Sequence, residues 1–191
     1  RESGADKCAN LVFRDLITYE NKTGFTLNPD AKIIDVGCRG NAQVVRNFIK
    51  QGYKNCYGID IGYDAEEGWK SLPEDIQIRL KRKDAQEDLH FNYKYDFITC
   101  SHVLEHCPDP KKVMEIFYKS LKDDGRIHLQ IPLSTYDEYM GHYPHFAYWE
   151  NQEAFCEFLE DCNFKIEYSE YGTQDNRKPF DDLMVIIKKN I

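Results

Sequence analysis

The feature that most constrains the fold is a regular alternation of short apolar runs with stretches of helical periodicity. This alternation is typical of a mostly parallel sheet that is covered by helices on both faces. The sequence predicts five such strands, at residues 32–36, 56–60, 76–80, 95–100 and 126–131. It predicts helices at about residues 5–20, 42–51, 110–121 and 152–162.

The end of the chain has a different pattern. Two further strand-like runs, at residues 164–171 and 183–188, are joined by a polar segment with Gly172 and Pro179. Such a pair predicts an antiparallel hairpin. The expected fold class is therefore α/β: a seven-stranded, mostly parallel sheet with a C-terminal antiparallel hairpin and helices on both faces. We expect one domain over residues 1–191, with residues 1–30 as an N-terminal helical extension.

The composition argues against a nucleic-acid partner, a membrane span and secretion. Lys plus Arg number 25 against 33 for Asp plus Glu, a formal net charge of −8, whereas nucleic-acid binding draws much of its affinity from basic contacts to phosphate. No apolar run approaches the ~20 residues of a membrane span, and the N-terminal segment lacks the apolar core of a signal peptide. The seven cysteines contain no Cys-x-x-Cys pair. Free thiols and a cytoplasmic location are therefore expected.

The strongest site signal is the segment KIIDVGCRGN at residues 32–41, in which a buried strand runs into a Gly-containing turn and then a helix. Open α/β sheets bind ligands at the carboxyl ends of their strands. A dinucleotide site needs Gly-x-Gly-x-x-Gly, but Arg39 stands at the second Gly position. Asn41 tolerates a positive φ better than most residues, so we expect the turn to be retained.

Acidic residues follow three successive predicted strands. Asp35 lies near the end of the first, Asp60 ends the second, and Asp84, followed by Ala85, comes after the third. An acid at the second position can accept hydrogen bonds from both ribose hydroxyls of a nucleoside ligand. Asp35 would repel a pyrophosphate but suits a cationic ligand. These acids therefore favour a positively charged nucleoside over a dinucleotide.

These motifs, in this order, resemble class I S-adenosylmethionine-dependent methyltransferases over roughly residues 30–190. DVGCRGN resembles the family's DxGCGxG loop, and YGIDIG, KDAQEDL and YDFITCSHVLEHCPDP resemble its second, third and fourth strand ends. The resemblance implies a Rossmann-like fold, S-adenosylmethionine as cofactor and methyl transfer as the activity. The residues expected to bind the cofactor are Asp35, Gly37, Cys38, Gly40, Asp60, Ile61, Asp84, Ala85, Ser101 and His102.

The same resemblance suggests groups near the reacting methyl. Some O-methyltransferases carry Glu-x-x-Glu-His after the fourth strand and bind a divalent cation there. This chain has His102, Glu105 and His106 in that pattern, with His142 or His145 as a further candidate ligand. The favoured interpretation of His106 is a buried side chain that fixes the turn before Pro108 and Pro110, and a divalent metal is possible but not expected. Residues 132–150 are predicted to form a loop that covers the acceptor. His145 in this loop and His106 are the candidate catalytic residues, with His145 as general base.

Four functions are compatible with these features. The favoured one is methylation of a small-molecule O- or N-nucleophile. The second is metal-assisted 2′-O-methylation of an RNA end, against which the acidic charge argues. A cofactor-binding module without catalysis is the third, because Arg39 departs from the family's loop. A nicotinamide-dependent oxidoreductase is the fourth, and the missing Gly-x-Gly-x-x-Gly disfavours it.

Overall fold

The computed structural model describes residues 4–89, 92–133, 145–172 and 181–191. The strands are β1 (Lys32–Val36), β2 (Asn55–Asp60), β3 (Leu80–Arg82), β4 (Tyr95–Ser101), β5 (Leu121–Leu133), β6 (Phe164–Gly172) and β7 (Asp181–Lys189). The helices are α1 (Gly4–Thr23), α2 (Gln43–Lys50), α3 (Tyr63–Trp69), α4 (Glu74–Gln77), α5 (Pro110–Ser120) and α6 (Gln152–Asp161), with a 3₁₀ turn at Leu104–His106. Among the helices of these ranges, none is long and apolar enough to cross a bilayer.

The strands form one sheet in the order β3-β2-β1-β4-β5-β7-β6. The first five strands are parallel, and β7 runs antiparallel between β5 and β6. The predicted fold class, including the C-terminal hairpin, is therefore confirmed. The strand order reverses between β1 and β4, which is the position where open α/β sheets bind ligands.

Neighbouring residues of β1 divide the core between the two faces of the sheet, because side chains alternate along a strand. Ile33 belongs to a cluster that includes Val12 and Leu16 of α1 and Val45 and Phe48 of α2. Ile34 belongs to the cluster on the opposite face, which includes Phe117 of α5 and Phe155 of α6. Both faces of the sheet are thus covered by helices, as the near-continuous apolar character of its strands requires.

The prediction for the third strand is wrong in position. Residues 76–80 were expected to form it, but Glu74–Gln77 form helix α4 and the strand covers only Leu80–Arg82. Pro73 precedes this helix and two acids occupy its first turn. Both features stabilise a helix N-terminus. The alternation of Ile76 and Ile78 suggested one buried strand face, yet Ile76 is buried and Ile78 is 70% exposed.

Helix α1 is held against the sheet by a buried polar contact. Asp15 on α1 lies 3.1 Å from Nε2 of His128 on β5, and the other ring nitrogen of His128 lies 3.3 Å from the Thr99 hydroxyl on β4. Burial opposes ionisation of Asp15, but hydrogen bonds and positive charge from His128 and Arg14 outweigh it and lower the pKa of this carboxyl. The contact fixes α1 over the end of β1, where Val12 reaches the candidate site.

Candidate functional site

The turn after β1 needs glycine at its first position. Gly37 has a φ of +82°, and a Cβ added there would lie 2.3 Å from Cγ2 of Val103. The amides of Gly37 and Cys38 both donate to the carbonyl of Ile59 on β2, at 2.8 and 3.0 Å. The turn is therefore pulled toward β2, and its backbone forms one wall of a cleft.

The next residues of the turn differ from the expectation for Asn41. Arg39 and Ala42 have left-handed backbones, with φ of 56° and 43°, whereas Asn41 does not. The Arg39 carbonyl accepts a 2.8 Å hydrogen bond from the indole of Trp69, and its side chain is exposed. Contacts with β2 and α3 thus hold Arg39 in a conformation that usually favours glycine or asparagine.

Gly40 serves to pack a helix rather than to line the cleft. A Cβ on Gly68 of α3 would come within 2.7 Å of the Gly40 Cα, and one on Gly40 would come within 3.3 Å of the Gly68 Cα. The two backbones therefore approach each other where neither residue carries a side chain. Gly40 shapes the loop from behind, unlike the other nine residues predicted to contact the cofactor.

Asp60, at the end of β2, has both carboxylate oxygens engaged by the backbone. One accepts from the Arg39 amide and the other from the Gly62 amide, each at 2.8 Å. A carboxylate offers about four lone-pair sites, so each oxygen retains capacity for another donor. The side chain is thereby oriented at the mouth of the cleft with unused acceptor sites.

Asp84, two residues after β3, is fixed in a similar way by its own turn. Its Oδ1 accepts a 2.8 Å hydrogen bond from the Gln86 amide, and Ala85 beside it is buried. Asp84 and Ala85 form the wall of the cleft opposite Gly37 along the strand ends. The predicted order of acids along neighbouring strand ends is therefore present.

The strand ends enclose a cleft of about 300 Å³ and a smaller adjoining hollow of about 40 Å³. Ligand pockets in proteins begin at about this larger size. The cleft is lined by Gly37, Asp60, Ile61, Asp84, Ala85 and His102, together with the unpredicted Val103, Gln86 and Cys107. The hollow is lined by Asp35, Gly37, Cys38, Ser101 and His102. All the predicted cofactor-binding residues except Gly40 therefore line one or the other.

Asp35 is a buried acid of the hollow whose ionisation is strongly opposed by its surroundings. Burial raises the pKa of its carboxyl well above the usual range, the negative charge of Asp60 raises it further, and Arg39 acts in the opposite direction. The side chain is 5% exposed. A cationic ligand beside Asp35 would restore its charged form, so the hollow is built to receive positive charge.

A second group of polar side chains follows β4. His102 has a φ of +54°, and its amide donates to the carbonyl of Gln130 at 2.8 Å. Its Nδ1 lies 3.5 Å from Oε1 of Glu105, and its Nε2 lies 3.7 Å from Oδ2 of Asp182. The imidazole is thus located between two buried carboxylates, one of them from the distant strand β7.

The candidate metal ligands are arranged differently from the prediction. Ligand atoms of Glu105, His106 and His145 lie within 4.8 Å of one another, so His145 replaces His102 in the group. The His106 and His145 rings are 4.5 Å apart. His106 is also 41% exposed, so the favoured interpretation of His106 as a buried residue is wrong. His142 and most of the predicted loop at residues 132–150 lie outside the described residues.

Sequence reasoning missed several residues of this region. Val12 was assigned only to a helix, yet it lines the hollow. Gln130 and Asp182 are buried polar residues of β5 and β7, and the sequences of these strands carry no motif that would mark them. Only the strand register places them beside β4.

The sheet order, the Gly37 turn and the acids at the ends of the strands define the class I S-adenosylmethionine-dependent methyltransferase fold. The chain belongs to the methyltransferase domain family, whose sequence profile it matches over residues 10–171. The resemblance inferred from the motifs is thereby confirmed.

Individual relatives agree with this assignment. The chain is 28% identical over 99 residues to a ubiquinone biosynthesis O-methyltransferase of Salmonella paratyphi A, a match covering 50% of this chain and 40% of that protein. It is 31% identical over 117 residues to the protein of the same description from Haemophilus ducreyi, covering 57% and 48%. The chain thus spans less than half the length of these curated relatives.

Solved structures share the fold at low sequence identity. An S-adenosylmethionine-dependent methyltransferase from Clostridium acetobutylicum superposes with a TM-score of 0.70 at 14% identity, covering 100% of this chain and 94% of that one. Magnesium protoporphyrin IX methyltransferase from Synechocystis with bound S-adenosylhomocysteine gives 0.65 at 17% identity, covering 96% and 84%. These likenesses establish the architecture alone.

Proposed function

We propose that this protein transfers the methyl group of S-adenosylmethionine to an O- or N-nucleophile of a small molecule. The observation that carries the proposal is the placement of three acids, Asp35, Asp60 and Asp84, around a connected cleft and hollow. A carboxylate whose pKa is raised by burial, as in Asp35, favours a cationic ligand such as a sulfonium with an ammonium group.

Each part of the cofactor has a matching wall. We assign the ribose to Asp60, the adenine to Ile61, Asp84 and Ala85, and the methionine end to Asp35, Gly37, Cys38, Ser101 and His102. The cleft of about 300 Å³ suits the nucleoside, and the missing Cβ of Gly37 lets a ligand approach the backbone. When bound, S-adenosylmethionine supplies a methyl carbon that is already activated by its sulfonium.

The chain's own residues position the acceptor and handle its proton. A general base needs to lie within hydrogen-bond reach of the acceptor. The rings of His145 and His106 lie 4.5 Å apart, and His106 lines the cleft; we assign His145 as the base with His106 beside it. The residues of the predicted acceptor-covering loop that precede His145 would enclose the small molecule.

Binding of the cofactor is tested directly by calorimetry with S-adenosylmethionine, S-adenosylhomocysteine and NAD. We expect the first two to bind and NAD not to bind. An Asp60→Ala change is expected to weaken both adenosyl ligands by about ten- to a hundredfold, since hydrogen bonds to a charged group are lost. Asp64→Ala, an exposed acid of α3, is the matched control. Unchanged affinity in Asp60→Ala would show that the ribose lies elsewhere.

Turnover with a labelled methyl donor and a panel of small acceptors then separates an enzyme from a cofactor-binding module. We expect methyl incorporation that is lost in His145→Ala while cofactor affinity is retained. Cofactor binding without transfer to any acceptor would favour the module, in which Arg39 occupies the position of a family glycine.

We also expect the protein to act in a reducing compartment such as the cytoplasm, because the six cysteines with described side chains are all free thiols.

A divalent metal is not part of this proposal. Although Glu105, His106 and His145 are near one another, Glu105 Oε1 also lies 3.5 Å from His102 and is thus shared with a third imidazole. Metal analysis of protein purified without a His-tag is expected to give far less than one metal atom per chain. An equimolar metal content that disappears in His106→Ala would establish the metal-assisted alternative.

A further inference from the structure

A row of polar side chains continues from the methionine hollow toward the C-terminal hairpin. Ser101 of β4 pairs in register with Gln130 of β5, and two residues further along β5, Pro132 pairs with Asp182 of β7. Residues paired in register point to the same face of a sheet. This is the face of α1, because His128, two residues before Gln130, contacts Asp15.

The row contains acceptor atoms that lack partners. Ser101 Oγ, Gln130 Oε1 and Glu105 Oε2 are buried, and none has a hydrogen-bond partner within the described ranges. Gln130 is 4% exposed and Glu105 is 1% exposed. Buried polar atoms without a partner are rare in native proteins. Three of them in one place therefore point to a ligand that supplies hydrogen-bond donors.

The charges of the region favour a cation among such ligands. Glu105 and Asp182, both at most 2% exposed, lie on either side of the His102 imidazole. The two carboxylates thus flank one imidazole, and the region also contains the unpartnered amide oxygen of Gln130 and the hydroxyl of Ser101. An additional carboxylate or phenolate would be repelled here, whereas an ammonium group brings three donors and the opposite charge.

The position of the row links it to methyl transfer. Ser101 and His102 line the hollow that contains Asp35, to which the methionine end of the cofactor was assigned above. An acceptor atom held by Ser101, Gln130 and Asp182 would therefore lie next to the reacting methyl. The row borders the His106 and His145 rings through Glu105, whose Oε1 lies 3.9 Å from Nε2 of His106.

We propose that Ser101, His102, Glu105, Gln130 and Asp182 bind the amino group of a cationic amine acceptor, so that the protein is an N-methyltransferase. This inference rests on the proposed function and narrows its acceptor class. The bound ammonium loses one proton to water, and the nitrogen lone pair forms the new N–C bond. The bond between the methyl carbon and sulfur breaks with its electron pair on sulfur. The products are S-adenosylhomocysteine, the N-methylammonium and the proton released to water.

The test compares small molecules that share a carbon skeleton and differ only in their functional group. Their binding is measured with protein that is saturated by S-adenosylhomocysteine. Each set contains a primary amine, the corresponding alcohol and the corresponding carboxylic acid on butyl, benzyl and phenethyl skeletons. Titration calorimetry is expected to show at least tenfold tighter binding of the amine in one or more sets. Turnover with labelled S-adenosylmethionine is expected to methylate the same amines at nitrogen. Preference for alcohols or acids, or no binding by any amine, overturns the inference.

Variants connect the preference to the row. Asp182→Asn removes a charge with little change in shape, and Gln130→Ala removes an acceptor; Glu160→Gln on the exposed side of α6 is the control. We expect amine affinity to fall about ten- to a hundredfold in the first two variants, with S-adenosylhomocysteine affinity unchanged. Equal amine affinity in all three variants overturns the inference. If Asp182→Asn does not fold, Gln130→Ala provides the same comparison.

The two proposals fail in different ways. If wild-type protein does not bind S-adenosylhomocysteine, the proposed function fails. If it binds S-adenosylhomocysteine but shows no preference for amines, only the acceptor assignment fails, and an oxygen nucleophile becomes the better candidate.

Discussion

At the scale of single residues, Gly37 and Gly52 offer a controlled comparison. Both have positive φ, at +82° and +98°, but only Gly37 has a neighbour in the place of a Cβ, 2.3 Å away on Val103. An alanine at either position introduces backbone strain. Only at Gly37 would its Cβ also displace a side chain that lines the cleft, that of Val103. We therefore expect Gly37→Ala to abolish measurable cofactor binding and Gly52→Ala to leave the affinity unchanged. Calorimetry on the two variants decides this, and equal affinities would contradict the assigned role of the turn.

Replacing Asp35 is expected to raise the stability of the protein and to weaken its binding of the cofactor. Burial and Asp60 raise its pKa well above the ordinary value of 3.8. Between these two values the folded protein holds more protons than the unfolded chain, so this group's contribution to the free energy of unfolding increases as pH falls. Asp35→Asn is therefore expected to stabilise the ligand-free protein at neutral pH by more than about 1 kcal/mol, because the amide carries no charge to bury and takes up no proton on folding.

Binding changes in the opposite direction at Asp35. S-adenosylmethionine carries a sulfonium, whereas S-adenosylhomocysteine does not. Asp35→Asn should therefore lower the affinity for S-adenosylmethionine about tenfold more than the affinity for S-adenosylhomocysteine. In the wild type, affinity for S-adenosylmethionine should decline as pH falls through the raised pKa of Asp35. Chemical unfolding and calorimetry over a pH series measure both effects. A variant that is less stable and equally selective would show that Asp35 does not face the sulfonium.

At the scale of the elements, the docking of α1 depends on one buried contact. Asp15 is 2% exposed and pairs with His128, whereas Asp30 forms an ion pair with Lys54 in which both side chains are at least 70% exposed. Removing one partner of a buried pair costs about 3–5 kcal/mol, and removing an exposed one costs less than about 1 kcal/mol. Asp15→Ala is therefore expected to lower the free energy of unfolding by roughly 3 kcal/mol and Asp30→Ala by less than 1 kcal/mol.

The same pair predicts how acid affects α1. The pKa of Asp15 is lowered, so its stabilising contribution is present above the ordinary carboxyl pKa and is lost as pH falls through the lowered value. Val12 of α1 lines the hollow, so Asp15→Ala should also weaken S-adenosylmethionine. Urea unfolding and calorimetry test the two consequences, and similar losses in both variants would show that α1 is not held by this contact.

Elements in which apolar residues recur with a clear helical or strand period were predictable from the sequence. A helix that is defined by the residues at its N-terminus, such as α4, was not. The strand at residues 32–36 and helix α5 follow directly from apolar spacing. The Ile76–Ile78 alternation favoured a strand, but Pro73 and the acids after it start a helix. For the site, the acids at strand ends were predictable because parallel strands end at one edge. Gln130 and Asp182 were not, since only the register of β5 and β7 brings them together.

At the scale of the whole molecule, the two faces of the sheet differ in the polar side chains that they bury. The face toward α5 and α6 is a continuous apolar core, whereas the face toward α1 carries the buried polar residues Asp35, Thr99, His128 and Gln130. Burying so many polar groups costs free energy unless they are paired. The buried polar groups of the hollow therefore lie on the α1 face, beside the apolar cluster that includes Val12, Leu16 and Phe48.

Because these buried polar groups lie between α1, β1, β4 and β7, cofactor binding should stabilise the molecule as a unit. A ligand that binds only the folded state adds about 2.7 kcal/mol at a hundredfold excess over its dissociation constant. For a chain of this length each kcal/mol raises Tm by roughly 2–4 °C. We therefore expect S-adenosylmethionine to raise Tm by about 5–10 °C in a single transition, and NAD at the same concentration to raise it by nothing measurable. Asp60→Ala, with its ten- to hundredfold weaker affinity, should reduce this shift to about half or less at the same concentration. A shift of equal size with NAD, or none with S-adenosylmethionine, would contradict the assignment of the cleft, because the stabilisation arises only from binding to the folded site.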